Sequence, residues 1–178
     1  SNDPELRAAM MAKFGLDKPI VVQYLNYLKQ LFTGDLGDSI IFQRPVADMI
    51  LEKIVPTLSL VLTAAIAGLV LGTLMGIWAA RNEGSFLDTI FSSFVYVLNA
   101  VPSFWLALML IILFATNLRL LPSSGLIDPR ANYTGLKHYL DMGKHMILPL
   151  VTLVLVRIPH YYRTTKTSVL QVNAEDYI

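Results

Sequence analysis

Few side chains in this sequence have both the type and the spacing for chemistry. His138, Asp141 and His145 fall at i, i+3 and i+7, near one face of a helix, where they could present ligands to a metal ion. Three ligands on one short helix rarely complete a coordination sphere, and an ordinary polar helix carries the same residues, so no metal site is assigned. Asn99 and Arg157 stand in otherwise apolar stretches, and polar groups in lipid face the protein interior or an aqueous cavity. Asn99, three residues before Pro102, suits either the lining of a pathway or a structural hydrogen bond beside a proline kink. Arg157, about 16 Å along a helix from Met146, either lines a pathway or snorkels towards headgroups. No catalytic residues are assigned. An enzyme buried in the membrane needs convergent acids, bases or metal ligands, and the two charge-free stretches, 54–80 and 89–115, hold neither carboxylate nor histidine. With 0 cysteines, disulfides, thiolate metal sites and Cys nucleophiles are excluded. No G-x-x-x-x-G-K-[ST] motif is present, and Gly34-Asp35-Leu36-Gly37 is too short and too acidic to cradle phosphate, so it reads as a turn.

The elements that must position these residues are membrane helices. The chain is 54% apolar and 15% charged, with a mean hydropathy of +0.55, where a soluble domain carries about 25% charged residues. The stretches 54–80 and 89–115 each exceed the roughly 20 apolar residues that cross a hydrocarbon core. A third, 146–162, has Arg157 as its only full charge and ends in Tyr161 and Tyr162, which suit the headgroup level. The net charge of +1 gives no reason to expect a nucleic-acid partner.

Residues 1–53 read as an amphipathic, water-facing region of short helices. Asp3-Pro4 and Gly15 bound one, Asp17 and Pro19 open the next, and Val21, Val22, Leu25, Leu28 and Leu31 keep helical spacing. A third begins near Pro45 and leads into the span 54–80. There Ala64, Gly68, Gly72, Gly76 and Ala80 recur every fourth residue, a stripe that lets two helices approach closely in lipid. Residues 81–88 form a short loop in which Ser85 and Asp88 fit a capping box for the next helix. In the span 89–115, Pro102 removes a backbone hydrogen bond and predicts a kink, with Trp105 near it. Residues 116–145 are a polar loop with a helix near 134–145. The span 146–162 carries Pro149 and Pro159, and the tail 163–178 is helical in pattern. The fold class is therefore all-α integral membrane protein, a polytopic helical bundle of about three transmembrane helices plus short water-facing helices.

Lys and Arg do not orient it, with six in 1–53, one in 81–88, four in 116–145 and two after 162. An odd number of spans puts the ends on opposite sides. The first 50 residues hold no apolar run suited to a signal peptide, so the chain is expected to be a fragment with a further span upstream.

Seven local patterns now line up: Gly34-Asp35-Leu36-Gly37-x-Ser39, Pro45-Val46, Pro56-Thr57-Leu58, Val101-Pro102-Ser103-Phe104-Trp105, Leu121-Pro122-Ser123-Ser124-Gly125, Ile147-Leu148-Pro149, and Ser168-Val169-Leu170-x-Val172-x-x-x-Asp176-Tyr177-Ile178. In this order, and over almost the entire chain, they resemble the inner-membrane permease subunits of prokaryotic ABC importers of the dipeptide/oligopeptide/nickel class. The resemblance implies a non-enzymatic subunit of the cell (inner) membrane, forming half of a translocation pathway with a second permease subunit. Two ATP-binding subunits, which use ATP and Mg, would drive it, and an extracytoplasmic substrate-binding protein would feed it. This chain would bind no cofactor. Residues 1–53 and 116–145 would face outside, and 81–88 and 163–178 the cytoplasm. The tail resembles the opening of the loop that engages the ATPase, with Leu170, Val172, Tyr177 and Ile178 as apolar contacts of a coupling helix and Asp176 as its N-terminal cap. Asn99, Pro102 and Arg157 become candidates for the pathway, where Arg157 would meet a peptide carboxylate. Peptides are the expected cargo, with oligosaccharides or nickel as the alternative. A passive channel or structural helical assembly is the alternative of another class, and co-purification of an ATPase subunit separates the two.

Overall fold

Charge-free apolar sequence can satisfy its backbone in lipid by forming helices. Among the described residues there is no strand, only an isolated bridge between Asp38 and Pro45. The structure, a computed structural model, describes Pro4, Met11 and residues 18–174. The expected helix boundaries at Asp3, Gly15 and Asp17 lie outside the described residues, as do the tail residues Asp176, Tyr177 and Ile178.

The chain divides into two units, Ser1–Pro56 and Thr57–Ile178. In the first, α1 (Ile20–Phe32) follows Pro19 and ends at Thr33, whose hydroxyl donates to the carbonyls of Lys29 and Gln30. Asp35 then accepts from the Gly37 N–H at 2.9 Å, an Asx-type turn. The Val46 N–H donates to the Gly37 carbonyl at 2.9 Å, closing a loop at the start of α2 (Val46–Arg81). Arg44 of that loop pairs with Glu52.

In the second unit α2 continues to Arg81. After a turn come α3 (Phe86–Ala100), α4 (Ser103–Leu110) with a π-helical continuation Ile111–Asn117, and α5 (Leu136–Asn173). The helix expected near 134–145, the span 146–162 and the tail helix are one uninterrupted α5, through both Pro149 and Pro159. Its 38 residues make it about 57 Å long at ~1.5 Å per residue, well beyond a ~30 Å hydrocarbon core.

The segment 89–115, expected as one kinked helix, is broken, and its halves are bent by 105°. A residue before proline is pushed out of the helical region, and Val101 is extended at φ −81, ψ 127. Pro102 is extended too, at φ −60, ψ 135, before α4 restarts. Two successive non-helical residues make a joint where a lone proline makes a kink. Among the described residues, α2 and α5 are long and apolar enough to cross a membrane, and the bent pair is a third candidate if it forms one span.

The core of this unit joins Ala64 and Ala79 of α2, Val95 of α3, and Val154, Ile158 and Tyr162 of α5. Trp78 and Phe91 meet edge to face at 5.2 Å beside it. Most other large apolar side chains face outward, and only 11% of the most apolar window of α2, and likewise of α5, is buried. In water that much exposed apolar surface would be untenable; in a bilayer it is the lipid contact. The chain is a multi-pass, all-helical membrane protein.

Candidate functional site

Besides its packing against α4, α5 is held by two seams that involve residues singled out by their type. Along the first, the small residues of α2 face α5. Ala64 and Ala80 are buried at 0% and 5% exposure, and the glycines between them leave room for no side chain. A methyl group on Gly68 would lie 2.9 Å from Arg157 Cβ, one on Gly72 2.7 Å from Tyr161 Cβ, and one on Gly76 2.8 Å from both Thr165 Cβ and the Tyr162 carbonyl oxygen. Arg157 is half-buried, with its aliphatic stem crossing Gly68.

The second seam, between α3 and α5, is polar. Asp88, Ser92, Val95 and Asn99 are spaced four, three and four apart, which keeps them on one helical face. Ser85 caps α3 by accepting from the Asp88 N–H at 3.1 Å, and Asp88 Oδ2 accepts from the Gly84 N–H at 3.2 Å. Gly84 sits at φ +76, in the left-handed region where a side chain would be strained. Asp88 Oδ1 takes Lys166 Nζ at 2.5 Å and the Ser92 hydroxyl at 3.2 Å. The Tyr162 hydroxyl lies 2.9 Å from Ser92 Oγ and donates to Asp88 Oδ1 at 3.5 Å. At the far end Arg163 donates to Asn99 Oδ1 at 3.4 Å. Asp88 is only 7% exposed, so removing Lys166 alone would strand a buried charge, at a cost of about 3–5 kcal/mol.

Sequence reasoning found Asp88 only as a cap and missed Ser92, Tyr162 and Lys166 as its neighbours, and Arg163 as that of Asn99. The spacing of the polar residues Asp88, Ser92 and Asn99, four and seven apart on α3, was the available signal, since such a face in an apolar helix must meet protein. It does not name the partner helix, 78 residues away.

The remaining candidates are dispersed. Pro102 is exposed at the joint. Leu170 is half-buried and Val172 is 48% exposed on the last turns of α5, where Val172 helps line a shallow depression with Ser168, Val169 and Asn173. Asp141 Oδ2 accepts from the Asp128 N–H at 2.7 Å and so ties the loop to α5, while His145 Nδ1 sits 2.9 Å from the Asp141 carbonyl oxygen within α5 itself. A cavity of about 430 Å³ lies between α4, the Pro122–Gly125 turn and α5. Ser123, Ser124, His145 and Thr152 are its polar lining, among apolar side chains such as Ala107 and Leu148.

A helical membrane chain with one long, glycine-packed helix running into the tail fits a transport scaffold, and comparison decides which. The pattern of the family described as "Binding-protein-dependent transport system inner membrane component" matches residues 68–178. The chain belongs to that family. Among the relatives of this inner-membrane transport component is a Brucella abortus (strain 2308) protein named as a peptide transport system permease, 36% identical over 98% of this chain and 54% of its own length. The dipeptide transport system permease protein of Escherichia coli (strain K12) is 32% identical over 98% of this chain and 57% of its own. The metal-staphylopine import system permease protein of Staphylococcus aureus (strain Mu50) is 30% identical over 98% and 52%. The chain spans about half the length of the curated relatives it matches. The matched residues include the Gly68–Gly76 part of the stripe, the Val101–Pro102 joint and the whole of α5.

Proposed function

We propose that this chain forms part of a permease subunit that carries peptides through an ATP-driven importer, paired with a second permease subunit. A substrate-binding protein delivers cargo on the side of residues 1–53 and 116–145. Two ATP-binding subunits engage the side of 81–88 and 163–178. The observation that supports this best is α5: one unbroken helix of 38 residues, clamped by glycines along its middle, whose last turns carry Leu170 and Val172 towards the tail that resembles an ATPase-engaging loop. A rigid helix longer than the membrane is thick can pass a displacement at its end to the groups at its centre. ATP and Mg belong to the partners, since this chain has no phosphate-cradling loop. Asn99, Pro102 and Arg157 lie near the route, with Arg157 offering a cation to a peptide carboxylate. Alternation between inward- and outward-open states then follows from rigid-body motion biased by ATP binding and hydrolysis.

The names of the Brucella and Escherichia relatives favour peptides as cargo, and that of the Staphylococcus relative keeps a metal chelate as the second reading. The test is uptake by the full permease, reconstituted with its partner subunits and binding protein, of a labelled dipeptide or of nickel with a chelator. ATP-dependent dipeptide uptake supports the proposal. ATP-dependent uptake of the metal complex alone replaces the cargo, and purification without any ATP-binding subunit refutes the importer reading.

A further inference from the structure

The cluster around Asp88 does more than cap a helix. Its carboxylate is shared among the turn 82–85 through the Gly84 N–H, its own helix through Ser92, and α5 through Lys166 and Tyr162. Both charged side chains are largely withdrawn from water, with 9% of the Asp88 side chain and 19% of that of Lys166 exposed. A buried pair of this kind adds little net stability over apolar side chains of the same volume. What distinguishes it from an apolar contact is that it accepts one register and no other. On its other side the same stretch of α5 is pinned by Gly76, over Tyr162, Thr165 and Lys166. The far end of α3 meets α5 through one long hydrogen bond, from Arg163 to Asn99 Oδ1 at 3.4 Å, then stops at the extended Val101–Pro102 joint and resumes as α4 only after a bend of 105°. Helix α3 is thus ion-paired to α5 at one end and, at the other, runs into a joint beside a single long hydrogen bond.

We propose that Asp88 and Lys166 are positioning residues for energy coupling. They make the turn 82–85 and the first turn of α3 one body with the part of α5 that leads into residues 167–178. A displacement imposed there then swings α3 about the Val101–Pro102 joint, rather than moving α5 alone. The inference rests on the coupling role proposed above for 163–178. The pair touches neither nucleotide nor cargo and acts through the helices it joins.

The test uses the full permease with its partner subunits in proteoliposomes, with uptake and ATP hydrolysis measured separately. Retention of the ATP-binding subunits on gel filtration reports assembly. Lys166→Met alone leaves a bare buried carboxylate and risks misfolding, so the informative variant is Asp88→Asn with Lys166→Met, neutral and close in volume. Its complex should assemble and hydrolyse ATP while cargo carried per ATP falls about tenfold, within the range by which side chains along a coupling route act. Lys166→Arg, which keeps charge and reach, should hold that ratio within about twofold. A double variant with the wild-type ratio overturns the proposal, as does one that loses the ATP-binding subunits, because the pair would then serve packing or assembly. Wild-type uptake indifferent to ATP overturns the coupling role itself, and the proposal with it.

Discussion

Alanine at Gly76 is the sharpest perturbation the structure offers. In an ordinary helix the change stabilises, since alanine exceeds glycine in helix propensity by about 1 kcal/mol. Here the added methyl would meet the Tyr162 carbonyl oxygen and Thr165 Cβ at 2.8 Å and the Lys166 nitrogen at 3.2 Å. Carbon atoms in good contact sit about 3.5–4.0 Å apart, so the helices would have to separate by a few tenths of an ångström or more. Two of the three obstructing atoms are backbone and the third is a Cβ, whose place the backbone fixes, so none can rotate away. Overpacking of this kind costs about 1–3 kcal/mol; with three close contacts the upper end applies, and subtracting the propensity gain leaves a net loss of about 2 kcal/mol. Gly72→Ala should cost nearly as much, since its methyl would lie 2.7 Å from Tyr161 Cβ and 3.0 Å from the Ile158 carbonyl oxygen. Gly68→Ala should be the mildest of the three, because Arg157 Cβ, at 2.9 Å, is the one atom within 3.4 Å of its methyl and the nearest backbone atom is 3.7 Å away. Gly143 lies in α5 with nothing within 4 Å of the site of its methyl, so Gly143→Ala should be neutral or stabilising. Reversible unfolding of the purified permease in mixed micelles, titrated with denaturing detergent, reads all four. Gly76→Ala as stable as wild type, or less damaging than Gly68→Ala, would refute the argument from close approach.

Three further outcomes are expected. Tyr162→Phe removes the hydroxyl that meets Ser92 and Asp88 and should lower stability by about 1 kcal/mol in the same titration, and no loss would mean that water replaces it fully. Pro102→Ala lifts the constraint on Val101 and should partly straighten the bend, lengthening the distance between spin labels placed on α3 and on Ile111–Asn117; an unchanged distance would locate the cause of the joint elsewhere. Arg157→Ala should reduce peptide flux in the reconstituted importer while leaving its assembly intact, and unchanged uptake would remove Arg157 from the route.

How much was legible varied with the range of the interaction. Residues 54–80 could be recognised as a span because hydropathy and charge are local sums, and the Ser85 cap because its hydrogen bond closes within four residues. The joint at Pro102 was half-legible. A proline announces a disturbance, but whether the helix kinks or breaks depends on whether Val101 yields as well, and that depends on what α3 and α4 each pack against. Pro149 and Pro159 show the converse, standing inside a helix that does not break. For the site, Arg157 stood out as a charge in lipid. Lys166 did not, because in a polar tail it resembles any solvated lysine.

Composition and spacing alone determined that this is a helical membrane protein, that its chain holds long apolar stretches, and that α2 carries a stripe of small residues. These follow from the bilayer acting as solvent and from the 3.6-residue turn, and neither needs knowledge of a distant partner. Only the tertiary structure decided that the glycine face receives Arg157, Tyr161 and Thr165 of α5, that Asp88 is charge-paired with Lys166, and that 86–117 bends back on itself. Each of those depends on which helices meet and in what register. In lipid, where apolar surface is cheap to expose, that choice is made by close packing and by the few polar groups that must find one another.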